Sequence, residues 1–80
     1  MKKLQQPVYH YTAIFERNEH GGYTVTVPAL PGLVTEGKNL DEAHRMAQDA
    51  IRCYIEGLRN ANQPVPQEEE VAQVRLTVTV

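Results

Sequence analysis

The five residues Pro28-Ala29-Leu30-Pro31-Gly32 constrain this chain more than any others. Pro28 cannot donate to a sheet ladder and Pro31 fixes φ again three residues later, so a strand that reaches Val27 must end there and turn. Before the corner, Tyr23-Thr24-Val25-Thr26-Val27 alternates at strand period. After it, Leu33-Val34-Thr35-Glu36 is long enough for a third strand, closed by Gly37.

Two further strands frame this centre. Val8 to Arg17 is rich in β-branched and aromatic residues and reads as the first strand, with the polar run Asn18-Glu19-His20-Gly21-Gly22 as the hairpin turn into the second. At the other end, Val74, Leu76, Val78 and Val80 alternate with Arg75, Thr77 and Thr79, so Val71 to Val80 reads as the last strand.

Between them lies a helix, from Leu40 to about Asn60. Asn39 is its expected N-cap, with Glu42 three residues on as the reciprocal partner and Asp41 favouring the positive end. Leu40, Ala43, Ala47, Ala50, Ile51, Tyr54 and Leu58 fall within about 100° of arc and predict the sheet-facing stripe. Glu42 with Arg45, Asp49 with Arg52, and Glu56 with Arg59 predict a solvated ladder of ion pairs. A third edge of Met46, Cys53 and Gly57 is small or soft enough to accept a neighbouring subunit. Pro64 and Pro66 end the helix.

The fold class is therefore α+β, ordered β-β-β-α-β, with one helix packed on one face of a single sheet. A right-handed crossover lays the last strand parallel beside the first, for a predicted strand order of 3-2-1-4. One domain spans residues 1–80, with residues 1–7 as a flexible N-terminus. A chain of 80 residues buries only roughly 60% of its unfolded surface, and its single cysteine allows no internal disulfide. A homo-oligomer, dimer or tetramer, is the expected source of further burial, with Met46, Cys53, Leu76 and Val78 as contacts.

Composition narrows the chemistry. No run approaches the ~20 apolar residues of a membrane span, and the opening Met1-Lys2-Lys3 has no apolar stretch behind it, so a cytoplasmic protein is expected. The net charge of -2 argues against a nucleic-acid surface. The chain has no serine, Cys53 has no base at a recognisable spacing, and His10, His20 and His44 form no paired metal-ligand motif. The acids scatter over helix and linker, where a two-metal nuclease needs them to converge. No catalytic, metal or cofactor residue is assigned, which leaves divalent-metal nuclease activity as a minor alternative.

The segment Tyr11 to Pro66 resembles the N-terminal domain of HicB-type antitoxins. The likeness rests on Phe15-Glu16 ending the first strand, Gly21-Gly22-Tyr23, the Pro-x-Leu-Pro-Gly corner, Val34-Thr35-Glu36-Gly37, the helix opening Leu40-Asp41-Glu42-Ala43, and the exit at Pro64 and Pro66. It implies a partial ribonuclease-H-like fold that works by binding. The implied partner is a HicA-type ribonuclease toxin with a double-stranded-RNA-binding fold, whose catalytic histidine the antitoxin covers. Tyr23, Pro28, Leu30 and Pro31 are the expected partner contacts. Many relatives continue into a DNA-binding module, whereas direct DNA binding is not expected of this chain alone. The alternative from another class is an orphan homo-oligomeric domain with no toxin partner.

Overall fold

A computed structural model of the chain describes residues 8–70 and 72–80. The expected flexible N-terminus, residues 1–7, and Val71, the expected first residue of the last strand, lie outside them. Three antiparallel strands, β1 (Ile14–Arg17), β2 (Tyr23–Thr26) and β3 (Val34–Gly37), precede one helix, α1 (Leu40–Asn60). The α+β class with a single sheet is as expected.

Asn18 organises the first turn. Its side-chain oxygen accepts from the backbone N–H of His20 and of Gly22, both at 3.0 Å, and its own N–H donates to the Gly22 carbonyl. A short polar side chain thus stands in for missing backbone partners in the turn. The register that follows pairs Ile14 with Thr26 and Arg17 with Tyr23.

β1 is shorter than the expected Val8–Arg17. Two pairs beyond Ile14 and Thr26, opposite Thr12, the ladder would meet Pro28, which has no N–H, and residues 8–13 carry no strand pairing. The last strand is corrected more fully. Among the described residues the sheet is β1-β2-β3 and not 3-2-1-4, and residues 72–80 carry no strand pairing and are exposed throughout. A strand is stable only through its ladder. Here the linker before the tail is fastened beside residues 11 and 12, as described below, and the tail leaves the sheet.

The helix spans the expected residues. Asn39 caps it by accepting from the Glu42 N–H at 2.8 Å, while the Glu42 carboxylate reaches back one residue further than expected, to the Lys38 N–H at 2.8 Å. Its other end closes in a Schellman arrangement: Asn62 takes a φ of 56°, its N–H donates to Arg59, and the Gln63 N–H donates to Leu58. The helix is therefore stopped by Asn62, two residues before Pro64.

Two clusters hold helix to sheet. Val25 packs with Ala43 and Ala47, joined by Ala13, Phe15 and Tyr23; Val27, Leu30 and Leu33 pack together, joined by Tyr11, Ala13, Ala50, Ile51 and Tyr54. The alanines keep the helix close, and Gly37 makes that approach possible, since a Cβ there would sit 2.6 Å from Ala43 Cα and closer still to its nitrogen. Two stripe assignments are corrected. Leu40, in the first turn at the end of the helix, is 55% exposed, and Ile55, outside the expected stripe, is buried.

The ion-pair ladder is also thinner than expected. Among the described residues only Asp49 and Arg52 pair, at 3.4 Å with both side chains largely exposed, a geometry that contributes little. Glu42 is used at the cap, and Arg59 turns to Tyr9. In urea unfolding, Gly37→Ala should cost about 3 kcal/mol, because its Cβ meets fixed backbone. Asn39→Ala should cost about 1 kcal/mol through the lost cap.

Candidate partner-binding surface

The corner between β2 and β3 is two consecutive turns that share one residue. The Leu30 N–H donates to the Val27 carbonyl at 2.9 Å, and the Leu33 N–H donates to the Leu30 carbonyl at 3.1 Å. Each turn has a proline at its second position, Pro28 and Pro31, where a fixed φ helps. Gly32, at φ 85°, supplies the positive angle that the third position of a type II turn requires. The three-residue spacing drives Val27, Leu30 and Leu33 inward and leaves Pro28, Pro31 and Gly32 outside. From the helix, the Tyr54 hydroxyl donates to the Pro31 carbonyl at 2.9 Å.

The expected contact residues are thus divided. Pro28 and Pro31 are exposed side by side in the corner, whereas Leu30 is 0% exposed and shapes the corner from within. Tyr23 lies at the far end of β2, half-buried on the helix side, with the Arg17 guanidinium 5.8 Å from its ring centre. Of the expected oligomer contacts, Met46 and Cys53 are exposed on the helix, and Leu76 and Val78, 80% and 75% exposed, stand on the tail.

Two features were not foreseen. Thr12 donates its N–H to one Glu68 oxygen and its hydroxyl to the other, the latter at 2.9 Å, while the Tyr11 hydroxyl donates to the Pro66 carbonyl. Beside this clasp, Tyr9 and Tyr11 stack at 6.2 Å, and Arg59 donates to the Tyr9 hydroxyl at 2.8 Å. In the sequence, Glu68 was one of three consecutive glutamates, and nothing in their pattern singled it out. The second feature is a groove of about 510 Å³ on the sheet face opposite the helix, where Ile14, Pro28 and Ala29 meet Ala72. An apolar Ile14 on the strand face away from the helix was its one visible signal.

A second concavity, about 480 Å³, opens on the helix side between residues 9–15 and α1, with Phe15, His44, Ala47, Gln48 and Ile51 in its walls. Among the described residues no three His, Cys, Asp or Glu side chains converge in a way that could hold a metal ion. The surface offers one largely apolar groove, one of mixed lining and a proline corner, features suited to a macromolecular contact.

Burial, then the neighbouring Tyr9 and the Glu68 carboxylate, push the Tyr11 hydroxyl above its ordinary pKa of 10.0. The folded value exceeds the unfolded one, so this stabilisation is complete below pH 10 and is lost as pH rises through the raised value. Urea unfolding at increasing alkaline pH should show that decline, and Tyr11→Phe should flatten it. At neutral pH, Tyr54→Phe should cost about 1 kcal/mol by leaving the Pro31 carbonyl without its donor.

The family model for the HicB-like antitoxins of bacterial toxin-antitoxin systems matches residues 11–78. A UPF0150 protein of Thermoplasma acidophilum is 47% identical over 58 residues, 72% of this chain and 84% of its own length. One from Synechocystis is 36% identical over 73 residues, 91% of this chain and 92% of its own length. Antitoxin HicB 1 of Photorhabdus laumondii is 35% identical over 63 residues, which cover 79% of this chain and 41% of that longer protein.

Proposed function

The chain belongs to the HicB-like antitoxin family of bacterial toxin-antitoxin systems, and we propose that it neutralises a HicA-type ribonuclease toxin by covering the toxin's active site. The family match over residues 11–78 carries this reading, because it runs through both turns of the corner, the whole helix and the clasp. In this reading the protein acts by binding and not by catalysis, as one domain with a partial ribonuclease-H-like fold, in the cytoplasm. No helix among the described residues is long and apolar enough to cross a membrane.

Contact falls to the exposed ring of the corner, Pro28 and Pro31, with Ile14 and Ala29 in the adjoining groove. Leu30, enclosed beneath them, holds the ring in shape. Tyr23 sits at the opposite end of β2 and is a secondary contact. Two prolines and a hydrogen-bonded turn pair pre-organise this surface, so little ordering cost is left for the moment of binding. The net charge of -2 suits a basic partner and would raise the association rate more than the affinity.

Co-expression with the neighbouring open reading frame is the direct test, with a small basic protein expected to co-purify and lose ribonuclease activity in the complex. Pro28→Glu, at an exposed position, should weaken that complex by about tenfold or more, the effect of losing roughly 1.4 kcal/mol, and lower folding stability by less, about 0.4–1 kcal/mol, through the lost φ restraint. The reading of an orphan oligomeric domain is favoured by one observation, the bare apolar tail. It gains if the neighbouring product neither binds nor is inhibited.

A further inference from the structure

The C-terminal tail and the free side of β1 are both without a strand partner within one copy of the chain. Val74, Leu76, Val78 and Val80 repeat at strand period and are all exposed, a pattern that costs free energy in water unless something covers it. In the sheet order β1-β2-β3, β1 is an edge strand, with every second backbone N–H and C=O turned outward. On its helix side, a groove of mixed lining lies open, with Phe15, Ala47 and Ile51 as its apolar part and His10, His44 and Gln48 beside them.

The tail does not reach that groove in its own molecule. Glu68 fixes the linker at Thr12, and from there Ala72 and Gln73 line the opposite face of β1, against Ile14 and Ala29. No residue of the tail is among those lining the helix-side groove. The radius of gyration is 15.6 Å, against about 12 Å for a compact chain of this length. Unpaired edge and unpaired strand therefore occur in the same chain, positioned for exchange and not for closure.

We propose that two copies exchange their tails, each tail adding as a strand to β1 of the other and seating its Val and Leu side chains in the helix-side groove. A second copy is the fitting occupant because it brings what the site lacks, a strand of alternating apolar residues, and because reciprocal exchange uses the same patch on both subunits, as two-fold symmetry requires. The proposal does not depend on any toxin, and its test uses this chain alone.

Light scattering at micromolar concentration should give twice the 9.0 kDa chain mass. The doubly substituted L76D/V78D chain should give the single mass, with its helical circular dichroism intact and with faster hydrogen exchange at Ile14–Arg17. H44E/Q48E, at exposed positions on the groove wall, should raise the dissociation constant by about tenfold or more. In a Cys53→Ala background, Gln48→Cys with Leu76→Cys should give a disulfide-linked dimer on a non-reducing gel. A monomeric parent chain, a dimer that survives L76D/V78D, or a disulfide that closes within one chain would each overturn the exchange.

Discussion

Leu30 is the residue on which the rest of the architecture depends. It ends one turn and begins the next, donating to Val27 and accepting from Leu33, and its side chain is fully enclosed between them. Those two hydrogen bonds reverse the chain, terminate the β2 ladder and aim β3 back across the sheet. The helix then locks the reversal in place through the Tyr54 hydroxyl on Pro31. Few other large side chains are fully buried, so a core this thin depends on turn geometry as much as on apolar area.

The same thinness explains which parts of the fold were legible in the residues. Glycine and proline impose geometry locally, and the hairpin, the corner and the cap at Asn39 were readable because each is settled within about five residues. The helix was readable because its apolar spacing is regular from Ala43 to Leu58. What failed needed distant information. The length of β1 is decided by a proline in the corner after the next strand, and the fate of the tail by where Glu68 docks, 56 residues from its partner. Alternation in Val74 to Val80 reports a capacity to pair, and says nothing about which chain supplies the partner.

Arginine placement shows a further limit. Arg59 satisfies the helical spacing for a pair with Glu56, yet lies against Tyr9, with its guanidinium 5.4 Å from the ring centre. A partly covered aromatic and a hydroxyl acceptor outcompete an exposed carboxylate, whose attraction is weakened by water. Of the candidate surface, the prolines were visible as a turn, but the inward direction of Leu30 follows only from the paired turns. Ile14, which lines the adjoining groove, was the only sign of it, and apolar groups on both faces of the first strand blurred that sign.

The clasp between Thr12 and Glu68 has a consequence for assembly. It takes up the Thr12 amide, so the open stretch of the β1 edge is confined to the few residues after it. Long, unblocked sheet edges are where proteins stack without limit. In the proposed exchange a single carboxylate would act as a stop, setting how far an incoming strand can slide and so fixing its register. An edge shortened in this way favours a closed, countable complex over an open-ended fibre.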